Sequence, residues 1–345
     1  MQDNALVRPA PAPKVSVVIP VFNRPMAVRR AIESVLAQTC QDFEIIVVDD
    51  GSTDTTTAAV EAIADPRITL IRHERNRGGS AARNTGIRAS SADYVAFLDS
   101  DDEWLPAKLE RQLEVFERSG DRLGLVYTGV ERIFPDGSVS RIIARPHVNL
   151  ARALLAENVV GETSLGMVRR SALAAVGGFD ESLPSCQDLD LWLRICERFS
   201  AEVVPDPLVR VANVNDSGRI TVSVPRTVLG RELYCRKHRE KMIRFGVLHL
   251  FLRDSGWCQQ RRGRDLSRAR RFYLESLRAN PVAPFTYALL FSAYLPAAWF
   301  EQAARCKRRV ARLLGFGPET WFAEDSFRPA PMAKLQRNTK DPAAS

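Results

Sequence analysis

Three carboxylates crowd the end of a short apolar segment, "YVAFLDSDDEW", at residues 94–104. Asp99, Asp101 and Asp102 would repel one another there unless something positive lay between them. Carboxylate oxygens are ligands for hard divalent cations such as Mg²⁺ and Mn²⁺, which complete their coordination with phosphate oxygens and water. The segment therefore predicts a metal site for a diphosphate, although an acidic segment after a strand is most often only a solvated loop.

Polar residues also follow other apolar segments in the same half of the chain. Asp49 and Asp50 lie in "VVDDGSTD", and Arg77 and Arg83 lie in "NRGGSAARN". An isolated Asp-Gly-Ser is more often a turn and helix cap than a site. The stretch "GGSAARNTG" matches neither phosphate-binding glycine pattern, G-x-x-x-x-G-K-[ST] or G-x-G-x-x-G. The segments are informative because they occur in order within about ninety residues.

Four short apolar strands separated by helices would carry these residues. Their β-branched and aromatic side chains make them apolar on both faces, as central parallel strands are. We expect them at Val15–Pro20, Phe43–Asp50, Ile68–His73 and Asp93–Asp99. Alternating strands and helices predict an α/β layer with a mostly parallel sheet. Because ligands bind beyond the carboxyl ends of such strands, the polar clusters should meet at one rim.

The helices between these strands are predicted from apolar residues at helical spacing and from capping residues. The first should have Asn23 as its N-cap. The second should begin near Ser52 or Asp54, and the third should occupy residues 78–89. The fourth should end with Gly120 as its C-cap.

A further acidic pair lies downstream, in "GGFDESLPSCQDLDLWLRICERF" at residues 177–199. Apolar residues from Leu189 to Phe199 repeat at helical spacing, which puts Asp188 at the start of a helix. An acid there could simply complement the helix dipole, or it could accept a proton from a hydroxyl group. Asp190 is the alternative candidate for the proton acceptor, and a structural role suits it better.

Four segments closely resemble the family 2 glycosyltransferases: "VSVVIPVFNR", "AIESVLAQTCQDFEIIVVDDGSTDTT", "NRGGSAARNTGI" and "YVAFLDSDDEWLPAKLERQ". The resemblance extends from residue 15 to about residue 215. It implies a GT-A fold, which is a Rossmann-like α/β fold with a mostly parallel central sheet flanked by helices. It also implies that the ligand is a nucleotide sugar.

The resemblance assigns roles to particular residues. It implies that Asp50 recognises the nucleotide base and that the D-x-D motif maps onto Asp99, Ser100 and Asp101. Asp101 becomes the main ligand for Mn²⁺ or Mg²⁺, and Asp99 lies nearer the ribose or a metal-bound water. The other implied nucleotide-sugar-binding residues are Pro20, Phe22, Asn23, Gly78, Arg83 and Ser100.

The resemblance also makes Asp188 the general base, preceded by Gln187 where the family commonly has Glu. The implied reaction is an inverting displacement in which an acceptor hydroxyl loses its proton to Asp188. UDP is the favoured donor nucleotide, and the acceptor would be a glycan or lipid-linked hydroxyl in cell-surface polysaccharide synthesis. A non-catalytic scaffold is disfavoured because Asp101 and Asp188 are both present. A nucleotidyltransferase is disfavoured because "PVFNRPMAV" is not a glycine-rich basic loop.

Composition places the chain among globular proteins with an acidic partner. It has 345 residues, a net charge of +8 and six scattered cysteines without a C-x-x-C pair. Scattered cysteines favour reduced thiols in the cytosol, and the first residues lack the apolar core of a signal peptide. We expect a cytoplasmic protein with optional peripheral contact to anionic membrane at the inner face, and no nucleic-acid partner.

The sequence divides into four regions by composition. The segment Pro281–Phe300 carries no charge, but prolines and modest hydrophobicity favour a buried or interfacial helix pair over a membrane span. Most basic residues before it should be solvated helix faces, with contact to anionic lipid as the alternative. The expected regions are a disordered lead-in at 1–14, a catalytic domain at 15–225, a helical region at 226–328 and a disordered tail at 329–345.

Overall fold

A nine-stranded mixed sheet lies between Val15 and Ala212 in a computed structural model that describes residues 12–212 and 223–295. The strands are β1 (Val15–Val21), β2 (Phe43–Asp49), β3 (Ile68–Arg72), β4 (Tyr94–Phe97), β5 (Asp102–Trp104), β6 (Leu123–Ile133), β7 (Val139–Ile142), β8 (Gly166–Arg169) and β9 (Ser200–Ala212). Along the sheet their order is β3-β2-β1-β4-β8-β6-β9-β5, and β7 pairs with β6.

Helices connect the strands and then continue alone toward the C-terminus. They are α1 (Pro25–Leu36), α2 (Thr56–Glu61), α3 (Gly79–Ala89), α4 (Lys108–Arg118), α5 (Leu150–Ala156), α6 (Arg170–Val176), α7 (Gln187–Cys196), α8 (Val224–Arg244), α9 (Leu248–Cys258), α10 (Leu266–Ala279) and α11 (Pro284–Ser292). The four predicted strands and the first four predicted helices are all present, each within a few residues of its expected bounds.

The first four strands are parallel to one another, as their two-sided apolar character predicts. β1 pairs with β2 and β4, and β2 pairs with β3, all in parallel register. β4 then pairs with β8 in antiparallel register, and β8 pairs with β6 in the same way. The carboxyl ends of β1, β2 and β4 therefore lie side by side at one rim, and the polar clusters follow these ends.

Two of the predicted helix caps are wrong. Arg24 occupies the N-cap position of α1, and the Asn23 side chain instead accepts a hydrogen bond from the Thr53 amide at 2.9 Å. Helix α4 ends at Arg118 with an extended residue at its C-cap, Ser119, so the chain turns one residue before Gly120. Asn23 does not cap α1 because its side chain bonds to Thr53. Gly120 does not cap α4 because the helix already ends at Arg118.

Two hydrophobic cores flank the sheet. One packs α1 and α4 against the strands through Ile32, Phe116 and their buried neighbours. The other packs α3, α5, α6 and α7 against the opposite face and includes Trp192. Helices α8 and α9 complete this second core through Tyr234 and Phe251, which are both almost fully buried.

C-terminal helices are present, as the sequence predicts. α8 starts at Val224, and α10 and α11 share a small core that includes Tyr273 and Leu289. Within residues 12–212 and 223–295, no helix is long and apolar enough to cross a bilayer. The expected lead-in to residue 11, the tail at 329–345 and the end of Pro281–Phe300 lie outside the described residues.

Candidate active site

The end of β2 is tied to the loop before α3 by Asp50. Its carboxylate accepts hydrogen bonds from the amides of Arg77, at 2.9 Å, and Gly78, at 2.7 Å. His73 Nδ1 lies 2.8 Å from the same carboxylate. The Asp50 side chain is buried, and these contacts hold the end of β2 against the loop before α3. Asp50 Oδ2 accepts from one donor here and can therefore accept a further hydrogen bond from a ligand.

The end of β1 is tied to the same rim through Asn23. The backbone N–H of Asn23 donates to Ser52 Oγ at 2.9 Å, and Asn23 adopts a left-handed backbone conformation with φ of 51°. The preceding Phe22 is 41% exposed although it is large and apolar. An exposed aromatic ring at the end of a central strand can stack against a nucleobase, and Pro20 lies two residues before it on β1.

Asp99 and Arg83 face each other across the rim. Arg83 Nη2 donates to Asp99 Oδ1, and Arg83 as a whole residue is 5% exposed. Its Nε and Nη1 are buried and have no hydrogen-bond partner among the residues that the structure describes. A buried guanidinium normally satisfies all of its donors, so these two nitrogens retain the capacity to donate to a ligand.

The three crowded aspartates differ in their surroundings. Asp101 Oδ2 lies 3.2 Å from Arg24 Nη1, and Asp99 is paired with Arg83. Asp102 is buried and accepts a hydrogen bond from Ser164 Oγ at 2.7 Å. Arginines thus supply positive charge near two of these carboxylates. The sequence pattern predicted instead that a metal and its bound diphosphate would meet their charge.

The donor set suits a cation that relies on its substrate for further ligands. The described part of the chain holds no cluster of three or more His, Cys, Asp or Glu residues arranged to bind a metal. Asp99 and Asp101 remain partly exposed, with side-chain exposures of 27% and 16%, and Ser100 between them is buried. Two carboxylates fit Mg²⁺ or Mn²⁺, which typically bind one or two and take phosphate oxygens as well.

Asp188 lies in the first turn of α7, where the sequence pattern puts it. Its Oδ1 accepts a hydrogen bond from the Leu189 amide at 2.7 Å, and its Oδ2 accepts one from Asn158 Nδ2 at 2.9 Å. Burial raises the pKa of Asp188 to about 6, against the opposing hydrogen bond from Leu189. The charges of Glu162 and Asp99 also raise this pKa, while the charge of Arg83 lowers it. A carboxylate with a pKa near the working pH suits a general base.

Asp190 has a structural environment instead. It is fully buried and accepts hydrogen bonds from Arg194 Nε at 2.7 Å and His238 Nε2 at 2.8 Å. Lys237 Nζ lies 2.8 Å from the same carboxylate. Burial raises the pKa of Asp190, but the hydrogen bonds from His238 and Lys237 and the charge of Arg194 outweigh it and hold that pKa below its usual range.

Two consecutive glycines turn the chain toward α7. Gly177 is the C-cap of α6 with φ of 78°, and Gly178 has φ of 72°. A Cβ on Gly178 would meet Asn84 Oδ1 at 2.6 Å. The same Asn84 oxygen accepts a hydrogen bond from the Phe179 amide at 2.8 Å, so this turn is fixed against α3.

Sequence reasoning missed the loop from Asn158 to Ser164. Its residues contact both parts of the site: Asn158 contacts Asp188, and Thr163 Oγ1 donates to Asp99 Oδ2 at 3.4 Å. The loop follows α5 and not a parallel strand, so the rule that ligands bind at strand ends does not predict it. Its only local signal was "NVVGETS", a polar segment with one glycine.

Comparison with known proteins identifies the family. The family model described as Glycosyl transferase family 2 matches residues 16–177. An uncharacterized glycosyltransferase of Rickettsia typhi is 34% identical over 256 residues, which cover 70% of this chain and 79% of that protein. This chain belongs to glycosyltransferase family 2.

Two further relatives are named for the biosynthesis of amylovoran and of colanic acid. The amylovoran biosynthesis glycosyltransferase AmsB of Erwinia amylovora is 35% identical over 191 residues, covering 52% of this chain and 62% of AmsB. The putative colanic acid biosynthesis glycosyl transferase WcaA of Escherichia coli is 29% identical over 246 residues, covering 67% of this chain and 84% of WcaA. Two longer glycosyltransferases, from Rickettsia bellii and Rickettsia felis, are matched over only 27% and 31% of their length.

Solved structures confirm the predicted fold. S. aureus TarS 1-349 in complex with UDP-GlcNAc superimposes with a TM-score of 0.60 at 18% identity, covering 81% of this chain and 84% of that chain. The mannosyltransferase PcManGT from Pyrobaculum calidifontis, in complex with GDP-Man and Mn2+, gives a TM-score of 0.55 at 19% identity, covering 89% and 88%. The fold is the GT-A fold, a mixed α/β sheet flanked by helices.

Proposed function

We propose that the protein is an inverting glycosyltransferase that moves a sugar from a nucleotide-diphosphate donor to a hydroxyl group. The observation that carries this proposal is the meeting of Asp188, with its raised pKa, and Arg83, with two buried unpartnered nitrogens, in one site beside Asp99. A proton acceptor and a set of unmatched donors are what a displacement with an anionic leaving group requires.

The donor binds along the carboxyl ends of β1, β2 and β4. Asp50 and Phe22 hold the base, the first by a hydrogen bond and the second by stacking. Support for this comes from the buried Asp50 at the rim and the exposed Phe22 ring beside it. UDP is the favoured nucleotide, and the related folds bind UDP-GlcNAc and GDP-Man. The remaining proposed donor contacts are Pro20, Asn23, Gly78, Arg83, Asp99 and Ser100.

Asp101, together with Asp99, is the proposed holder of Mn²⁺ or Mg²⁺. Support comes from the donor set, which fits a cation that binds two carboxylates and phosphate oxygens. The bound cation would stabilise the charge on the departing nucleoside diphosphate. Arg83 supplies a second positive group at the same place, because its unpartnered donors lie beside Asp99.

Asp188 is the proposed general base. It accepts the proton of the acceptor hydroxyl while that oxygen bonds to the anomeric carbon and the bond to the diphosphate breaks. The displacement inverts the anomeric configuration. At neutral pH a carboxylate with a pKa of about 6 is mostly ionised and therefore ready to accept the proton.

The acceptor is proposed to be a glycan or lipid-linked hydroxyl in cell-surface polysaccharide synthesis, by analogy with WcaA and AmsB. We place the protein in the cytoplasm with peripheral contact to anionic membrane at the inner face. Support comes from α11 and the residues just after it, where the aromatic side chains of Tyr287, Phe291 and Tyr294 are more than half exposed. The five cysteines within the described residues are free thiols, as a reducing compartment allows.

A panel of nucleotide sugars tests the proposed activity. UDP, GDP and dTDP sugars are added with Mn²⁺, and thermal stabilisation and release of the nucleoside diphosphate are measured. A ligand that binds only the folded state raises the melting temperature with its concentration. We expect one nucleotide class to stabilise the protein and one of its sugars to be consumed. Turnover of a sugar phosphate with a nucleoside triphosphate, without consumption of any nucleotide sugar, would identify a nucleotidyltransferase instead.

A further inference from the structure

Asp188 receives a hydrogen bond from a residue outside every recognisable motif. Asn158 Nδ2 donates to Asp188 Oδ2 at 2.9 Å and to the Gly161 carbonyl oxygen at 3.1 Å. The Gly161 amide donates back to Asn158 Oδ1 at 3.0 Å. Because Oδ1 must accept from that amide, the amide group of Asn158 can take only one orientation, with Nδ2 toward Asp188.

The loop that carries Asn158 is itself fixed to the helix of Asp188. Trp192 Nε1, one turn along α7 from Asp188, donates to the Gly161 carbonyl oxygen at 3.3 Å. Trp192 is fully buried, and Gly161 has φ of 92°, a left-handed conformation that glycine permits. The hydrogen bonds of Asn158 and Trp192 therefore connect the loop at Gly161 to the first turns of α7.

We infer that Asn158 is a positioning residue that orients the Asp188 carboxylate for proton abstraction. Oδ1 of Asp188 is held by the Leu189 amide and Oδ2 by Asn158, so the carboxylate plane is fixed while each oxygen keeps acceptor capacity. This inference rests on the proposed function of Asp188 as base. The charged groups that also act on Asp188 are Glu162, Arg83 and Asp99.

A donated hydrogen bond favours the ionised carboxylate, so its loss should raise the pKa of Asp188 as well as release its orientation. Asn158→Ala removes all contacts of the side chain. Asn158→Asp keeps an acceptor for the Gly161 amide, but its ionised form cannot donate to Asp188 and adds a like charge beside it, which also raises the Asp188 pKa. Asn149→Ala is the matched control, because the Asn149 side chain caps α5 by accepting a hydrogen bond from the Arg152 amide at 2.9 Å.

The test follows the Asp188 carboxyl signal by ¹³C NMR in the full chain labelled at aspartate, with Asp188→Asn used for assignment. We expect the Asp188 titration to move to higher pH in Asn158→Ala and Asn158→Asp, and to stay unchanged in Asn149→Ala. With the donor found by the nucleotide-sugar panel, kcat should fall roughly 10- to 100-fold while KM for the donor changes little. The acid limb of the rate profile should move with the titration.

An unchanged Asp188 titration in folded Asn158→Ala, or in Asn158→Asp where the alanine variant fails to fold, would overturn the inference. A loss of stability alone, without movement of the titration or the rate profile, would assign Asn158 a structural role only. Transfer by Asp188→Asn at the wild-type rate would instead contradict the proposed base. The NMR titration still decides the role of Asn158 in that case, so the two failures are distinguishable.

Discussion

At the scale of single residues, Asp188 combines burial with the capacity to hold a proton. Burial raises its pKa to about 6, so its ionised form is destabilised in the folded protein. The same property that suits it to accept a proton from a hydroxyl therefore lowers the stability of the fold at neutral pH. Such a conflict between local stability and chemistry is expected at an active site.

Replacing Asp188 should stabilise the protein at neutral pH. The folded pKa is raised from 3.8 to about 6, so the folded state binds the proton more tightly than the unfolded chain. The free energy of unfolding therefore falls as pH rises between these two values. We expect Asp188→Asn to exceed the wild type above pH 6 by at most about 3 kcal/mol and to equal it below about pH 4.

Urea unfolding at a series of pH values measures this difference. Asp121→Asn is the matched control, because the Asp121 side chain is fully exposed and its 3.6 Å ion pair with Arg169 is screened by water. A constant difference between Asp188→Asn and the wild type across the whole pH range would show that the Asp188 pKa is not raised.

Sequence patterns reached the acidic residues of the site and missed their partners. Asp99 and Asp188 each occupy a position that a strand end or helix start predicts. Asn158 and Arg24 were not predicted as members of the site. Asn158 follows a short helix, and Arg24 lies in "IPVFNR", where no pattern distinguishes it from an ordinary surface arginine. A hydrogen bond between residues 158 and 188 depends on how α5 packs against α7, which no local pattern encodes.

At the scale of elements, a buried charge network joins α7 to α8. Asp190 on α7 contacts Arg194 on the same helix and both Lys237 and His238 on α8. A second link, between Glu197 and Lys241 at 2.6 Å, joins the same helices at the surface. Both sets of ion pairs join α7 to α8, but Asp190 is fully buried and the Glu197–Lys241 pair is partly exposed. Comparing them measures how burial changes the contribution of an ion pair to stability.

We expect Asp190→Ala to cost about 3–5 kcal/mol of unfolding free energy, because it removes a fully buried carboxylate that Arg194, Lys237 and His238 all contact. Glu197→Ala should cost less than about 1 kcal/mol, since its ion pair with Lys241 is partly exposed and screened. Urea denaturation at pH 7 compares the two variants with the wild type. Equal losses for both would mean that burial does not decide the strength of this network.

The elements best predicted from sequence were those with a strong local pattern. β1 and β2 are apolar runs with buried residues on both faces, and both were predicted within a residue of their ends. β9 runs over Ser200–Ala212 with exposed residues in its middle, and its pairing with β6 contains register shifts. Lys108 is fully buried with its Nζ 3.8 Å from the centre of the Trp104 ring, a site that hydrophobic periodicity assigns to the surface.

At the scale of the whole molecule, α11 and its flanks present an apolar face. Val282 is 84% exposed and Phe291 is 68% exposed. The guanidinium of Arg270 lies 4.1 Å from the centre of the Tyr294 ring, which places a positive charge at the edge of this face. Aromatic side chains beside arginines are typical of surfaces that contact anionic lipid headgroups.

We expect the full chain to sediment with vesicles that contain phosphatidylglycerol more than with phosphatidylcholine vesicles, and high salt to release much of it. Phe291→Asp should reduce this binding, and Phe245→Asp serves as the matched control because Phe245 is exposed on a different helix end. Equal binding by Phe291→Asp and the wild type would contradict a membrane-facing α11. Extraction by detergent alone would contradict the peripheral mode.

We propose that, within one site, Asp101 holds the metal on which nucleotide binding depends and Asp188 accepts the proton of the acceptor hydroxyl. The most direct measurement compares calorimetric binding of UDP with Mn²⁺ and the rate of sugar transfer in Asp101→Ala, Asp188→Asn and the wild type. We expect Asp101→Ala to weaken metal-dependent binding and transfer together. Asp188→Asn should bind normally and lose about 10²- to 10⁴-fold in rate. Transfer by Asp188→Asn near the wild-type rate, or unchanged metal-dependent binding by Asp101→Ala, would contradict this account.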